Sequence, residues 1–260
     1  MSLFQKLTSE DIDSVDAALD YYHSKIHLPK NRRAFDYLAA QRAISENALN
    51  KFNIGFGDRT LFEVISESAR GACQRFGFIA TKGKSNGREK FRGCVTFPVR
   101  DEFGCLTNVY GRKICETLKK TSEAYVVAND DHRCLFNSEA MVEHKTVVLC
   151  SSPFEAVSLW SMGVENVTSL LGMRNISDEQ ILQLQFNDVT NVDVVFSSSP
   201  KALRYSYLIE KKLEKSGVSV TRTNLPKHQD INDCVTTLNH LNQAIRNSIH
   251  STLTIGLGAK

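Results

Sequence analysis

Thr146-Val147-Val148-Leu149-Cys150-Ser151-Ser152-Pro153-Phe154-Glu155-Ala156 reads as strand, turn and helix in one short stretch. A β-branched apolar run stops at two serines. Ser152 can cap the helix that follows, and Pro153 stands at its first position, where a missing N–H costs nothing. Val192-Asp193-Val194-Val195-Phe196-Ser197-Ser198-Ser199-Pro200-Lys201 repeats the pattern, with Ser199 as the cap. Around these two stretches, strands are expected near 146–150, 166–170, 192–196 and 218–223, and helices near 153–162, 177–186 and 200–215. Alternation at this spacing implies right-handed crossovers and a mostly parallel sheet. Gly163 fits the C-cap of the first helix. Ligands of such sheets collect at the carboxyl ends of the strands, which makes Ser151 and the Ser197-Ser198-Ser199 run the first place to look for chemistry.

The chain before this unit has a different texture. Ile12, Val15, Ala18, Leu19, Tyr22 and Ile26 recur at helical spacing over residues 9–27, with Ser9 as a plausible cap and Pro29 as the stop. Further helices are expected at 33–42, 45–52 and 61–76, with a strand or turn at 53–57. Lys82-Gly83-Lys84-Ser85-Asn86-Gly87-Arg88 reads as a basic loop. Two β-rich runs, 93–100 and 105–113, flank the turn Asp101-Glu102-Phe103-Gly104 and predict a hairpin. Its sheet is expected to be half-buried, with Arg92, Arg100 and Arg112 on the open face. Residues 227–260 are polar, with one helix expected over Cys234–Ile249. The expected division is a basic region at 1–144, the strand–helix unit at 145–226 and a tail at 227–260.

Composition narrows the classes. The chain has 260 residues, 42% of them hydrophobic and 23% charged, enough apolar sequence for a core. Net charge is only +3, but residues 70–120 hold twelve Lys/Arg against four Asp/Glu. A basic block between mildly acidic flanks suits a polyanion-facing surface. The seven cysteines are scattered, without zinc-type spacing, and read as reduced thiols. Residues 1–6 lack the apolar run of a signal peptide, and no stretch nears the ~20 apolar residues that span a bilayer. The expectation is a soluble cytoplasmic protein with no membrane partner. No Gly-x-Ser-x-Gly elbow surrounds Ser151, and no histidine has an obvious acidic partner, which argues against a hydrolase.

With these segments laid out, the chain resembles the DnaG-type bacterial primases, particularly short primase-like proteins of mobile elements, over about residues 33–235. Residues 35–56 look like the first helices of the primase core. Phe91-Arg92-Gly93-Cys94-Val95-Thr96-Phe97-Pro98-Val99-Arg100-Asp101 is similar to the family's Phe-Arg…Phe-Pro-Ile-Arg-Asp signature. Tyr110-Gly111-Arg112 is similar to its Gly-Gly-Arg strand, and Leu225-Pro226-Lys227-His228-Gln229-Asp230 to the segment that closes its TOPRIM unit. The resemblance implies an α/β chain: a mixed α/β basic primase-core domain followed by a TOPRIM-like domain with a mostly parallel sheet. It also implies a groove for single-stranded template, carried here by Lys82, Lys84, Arg88, Lys90, Arg92, Arg100, Arg112 and Lys113.

The departures decide the functional expectation. Where the family has Glu-Gly and then Asp at the first TOPRIM strand, this chain has Ser151, Ser152 and Glu155. Where it has Asp-x-Asp after the third, this chain has Ser197 and Ser199. The family's zinc ribbon has no counterpart in the sequence. Primer synthesis is phosphoryl transfer assisted by metal ions, and a hydroxyl does not replace a carboxylate as a Mg²⁺ anchor. The expectation is therefore a catalytically degenerate protein with no catalytic residues and no cofactor, Mg²⁺ entering only with residual activity. It would bind single-stranded DNA or a replication, primase or mobile-element protein. Two alternatives stay open: a primase subunit active only with a partner chain, and a protein-interaction adaptor that mimics a primase. An anion held directly at the serine turns, with Lys201 beside them, is a further reading of the same residues.

Overall fold

The computed structural model describes residues 7–80, 87–114, 124–227 and 229–238. The expected helix α1 runs Ser9–Ile26, but its cap is Thr8 rather than Ser9. Asp11 three positions on completes a reciprocal capping box with Thr8, which Glu or Asp beyond Ser9 cannot do. A single 3₁₀ turn at Pro29–Asn31 leads into α2 (Arg32–Arg42). Helix α3 (Glu46–Lys51) follows, capped by Ser45. The helix expected over 61–76 is two pieces, a 3₁₀ turn at Leu61–Glu63 and α4 (Glu67–Phe76). Ser66 splits them, because its hydroxyl accepts from the Ala69 N–H and starts a new helix.

The predicted hairpin is the centre of an antiparallel sheet in the order β1 (Gly55–Phe56), β2 (Cys94–Arg100), β3 (Leu106–Lys113), β4 (Tyr125–Val127). Strand β4 was not expected; three residues give too little alternation to read. The expectation of a half-buried sheet is corrected here. Every β2 residue from Cys94 to Val99 is buried. Cys94, Leu106 and Val109 pack with Val15, Leu19, Tyr22, Cys73 and Phe76 of α1 and α4. Val95, Phe97, Val99 and Tyr110 instead join Leu38, Leu49, Phe154 and Val157. Helices cover both faces, so the sheet has no open face for a row of arginines, and Arg92 lies in the turn before β2 rather than in a strand.

The parallel sheet is as the alternation implied. Helix α5 (Glu139–Glu143), too short to be read in advance, precedes β5 (Thr146–Cys150), α6 (Pro153–Trp160), β6 (Val167–Ser169), α7 (Asp178–Phe186), β7 (Asn191–Phe196), α8 (Pro200–Lys215) and β8 (Ser219–Asn224). Strand order is β6-β5-β7-β8, all pairs parallel. The chain steps out from β5 to β6, then back past β5 to β7. Right-handed crossovers therefore put α6 on one face and α7 with α8 on the other. The core shows this division: Ile181, Leu184, Ala202, Ile209 and Leu213 pack on Val147, Leu149, Val192 and Val194. Helix α6 and Cys150 share the other core with the antiparallel sheet. Residues 231–238 are helical, and Ile231 and Val235 enter that shared core. This helix starts three residues earlier than expected, because Asp230 and Asp233 exchange backbone N–H bonds at its first turn. The rest of the tail expectation, Lys82, Lys84 and Cys115 lie outside the described residues.

Candidate functional site

Strands β5 and β7 pair directly, Leu149 opposite Val194, so the two serine turns leave adjacent strands. They open into different cavities. Ser151 and Ser152 border a cleft of about 200 Å³ together with Arg42, Tyr110, Arg112, Tyr125, Phe154 and Asp230. Ser197 and Ser198 border a separate groove with Leu203, Arg222 and Lys227. Lys201 is exposed on the first turn of α8.

The hydroxyls of these turns are largely committed. Ser152 caps α6 by accepting from the Glu155 N–H, and Ser199 caps α8 by accepting from the Ala202 N–H at 3.3 Å. Ser197 and Ser199 hydroxyls bond each other at 3.3 Å, and Ser198 donates to the Pro226 carbonyl at 3.2 Å. Ser151 donates twice to Glu155 Oε2, from its N–H at 3.0 Å and from its hydroxyl at 2.5 Å. Glu155 is buried. Burial pushes its carboxyl up to about 7, and the Asp230 carboxylate adds to the rise, while the Ser151 bonds favour the charged form.

This donor set does not fit a divalent cation. Mg²⁺ needs several hard, charged oxygens in octahedral order. Ser151, Ser197 and Ser199 are neutral, and Glu155 is turned onto Ser151. Among the described residues no group of three or more His, Cys, Asp or Glu gathers as a metal site.

The expected basic residues divide into three kinds. Arg112 projects from β3 into the cleft, where its guanidinium bonds Tyr37 and Tyr110 and stands 5.9 Å from the Phe154 ring centre. Arg100 ends β2 and is tied to Asp16 of α1 at 2.5 Å and to the Gly104 carbonyl at 3.1 Å. Lys90 is half-buried and donates to the Ala128 carbonyl at 2.9 Å; burial draws its pKa down. Arg88 and Arg92 are exposed in the turn that leads to β2, and Lys113 is half-exposed at the end of β3.

Three cleft residues escaped the sequence reading. Arg42 closes α2, where a cation reads only as a helix-end charge. Its Nη1 donates to Asn232 at 2.8 Å, and Asn232 donates in turn to the Arg42 carbonyl at 3.0 Å and to Ser158 at 2.8 Å. Tyr125 stands on the unexpected β4. Gly172 has φ +108°, and a Cβ there would come within 2.6 Å of the Tyr125 hydroxyl, so a glycine at 172 is what lets that ring close the cleft.

Residues 21–140 match the family described as "DNA primase catalytic core, N-terminal domain". A DNA primase of Synechococcus elongatus is 20% identical over 232 residues, covering 83% of this chain and 33% of the relative. This chain thus spans about a third of the length of the curated relatives it matches first. Among solved structures, the zinc-binding and RNA polymerase domains of the Aquifex aeolicus primase superpose with a TM-score of 0.76 at 22% identity, over 95% of this chain and 62% of that one. The catalytic domain of a DnaG primase bound to single-stranded DNA superposes with a TM-score of 0.70 at 20% identity, over 88% of this chain and 79% of that one.

Proposed function

We propose that the protein is a primase-like chain that binds single-stranded DNA without synthesising primers; the match of residues 21–140 to the primase catalytic-core N-terminal family and the likeness of the fold to primase cores support this reading. In this reading residues 145–226 are a TOPRIM-like unit whose cation pocket has been neutralised. The observation that carries it is Glu155. It is the one carboxylate left among the expected anchor positions, and one of its oxygens, Oε2, is taken up by the Ser151 N–H and hydroxyl. Without charged oxygens at Ser151, Ser197 and Ser199, the cleft offers two carboxyls, Glu155 and Asp230, too few to hold two metal ions against the attacking and leaving oxygens of phosphoryl transfer.

Strand binding needs cations that are free to meet phosphates. Arg88 and Arg92 meet that condition; Arg100 does not, because Asp16 already holds it. The similar DnaG domain bound to single-stranded DNA supports the choice of ligand. Fluorescence anisotropy of a labelled oligodeoxynucleotide, titrated at several salt concentrations, tests the reading. Each phosphate contact contributes about 0.7 to the slope of log affinity against log salt for a single strand. Arg88→Gln with Arg92→Gln should flatten that slope by about 1.4, whereas Arg100→Gln should leave it unchanged. An unaltered slope in the double variant would remove these residues from the interface.

A further inference from the structure

The cleft beside Ser151 gathers two guanidiniums that form no ion pair with the acids beside them. Arg42 and Arg112 both line it. Both guanidiniums stand within 6 Å of one Phe154 ring centre, at 5.7 and 5.9 Å. Neither is paired with a carboxylate among the described residues. Arg42 spends one nitrogen on Asn232, and Arg112 stands beside the Tyr37 and Tyr110 hydroxyls. The Nε–H of each is shut off from solvent and has no acceptor. Two like charges held together, partly desolvated and in no direct ion pair, favour an anion that bridges them.

The surroundings suit an anion of a particular kind. Guanidinium forks match phosphate oxygens in pairs. The Tyr125 hydroxyl and the first turn of α6 border the same space. Two acids also face the cleft, and each is engaged by a group other than the arginines. Glu155 is pushed up to about 7 and bound to Ser151, and Asp230 accepts the Asp233 N–H at 2.8 Å.

We propose that this cleft binds a phosphate monoester directly, through Arg112 and Arg42 and without a divalent cation. Replacement of acids by Ser151 and its neighbours has then changed a cation pocket into an anion pocket. The phosphate belongs to the end of a nucleic-acid strand or to a free nucleotide, and neither Arg88 nor Arg92 lines the site.

Two arms of one experiment, both in EDTA, distinguish the sources. In the first, anisotropy compares an oligodeoxynucleotide carrying a 5′-phosphate with the same strand carrying a 5′-hydroxyl. In the second, calorimetry measures a nucleoside monophosphate and pyrophosphate with no DNA present, so the result does not depend on strand binding. Charge-assisted bonds of this type correspond to a gain of roughly ten- to a hundredfold. A gain of that size for the phosphorylated strand assigns the strand end, and binding in the second arm alone assigns the free nucleotide. Arg112→Gln should abolish the effect in either arm, and Arg112→Lys, which keeps the charge but loses the fork, should restore part of it. Folding of both variants is checked by circular dichroism. No binding by the native protein in either arm, binding that appears only when Mg²⁺ is added, or full binding by a folded Arg112→Gln protein would overturn the proposal.

Discussion

Glu155 is the carboxyl of the cleft whose surroundings the fold changes most clearly. Its carboxyl ordinarily titrates near 4.5 and is pushed up to about 7 by burial at the start of α6. The native state therefore holds a proton that the unfolded chain releases between about pH 4.5 and 7. A raised carboxyl pKa contributes stability at low pH, and that contribution is lost as pH rises through the folded value. The loss is on the order of 3 kcal/mol across that window. Glu155→Gln, which keeps the shape and removes the charge, should flatten this part of the stability profile and be more stable than the native protein at pH 8. Urea unfolding at pH 5 and pH 8 measures both; a native-like pH dependence in the variant would place the titration elsewhere.

Arginine placement marks the boundary of what residue-level reading can reach. Arg92, Arg100 and Arg112 look equivalent in the sequence, each beside a β-rich run. Folding gives them three different surroundings: solvent, an Asp16 ion pair, and the Ser151 cleft. Those differences come from α1 and α6 packing on opposite faces of one sheet, and no local pattern encodes it.

Elements with their own punctuation were legible. Pro153 after Ser152 and Pro200 after Ser199 announce α6 and α8, and both serines cap as their position implies. The apolar runs of β5 and β7 identify strands covered on both faces. Short elements without caps or alternation, β4 and α5, were not legible, and Ser66 divided what periodicity joined. The segment after 226 could not be placed in advance either, because its docking depends on partners far away in sequence. Ile231 and Val235 are 2% exposed in the core shared by the two sheets, and Asn232 links α2 to α6. This segment is thus a structural clasp over the cleft. Ile231→Ala should cost about 2–5 kcal/mol, read from the urea midpoint at constant slope. A loss below about 0.5 kcal/mol, the scale of an ordinary surface change, would show that the clasp is not docked in solution.

At the scale of the whole molecule, the proposed change of chemistry lies at two strand ends, and the fold is that of primase cores. Its antiparallel and parallel sheets share one core through α6, which keeps Arg112 of one sheet facing Ser151 of the other. Serines after β5 and β7 are compatible with that fold, because Ser152 and Ser199 cap the helices that follow. Fold alone does not fix a reaction; in the proposed function the side chains at two strand ends decide.

The most direct test of this account is a single primer-synthesis reaction: the protein with a single-stranded DNA template, labelled nucleoside triphosphates and Mg²⁺ or Mn²⁺, resolved on a denaturing gel, with template binding followed in the same mixture. The account predicts bound template and no labelled oligonucleotide with either metal. Labelled products that disappear on addition of EDTA would contradict it.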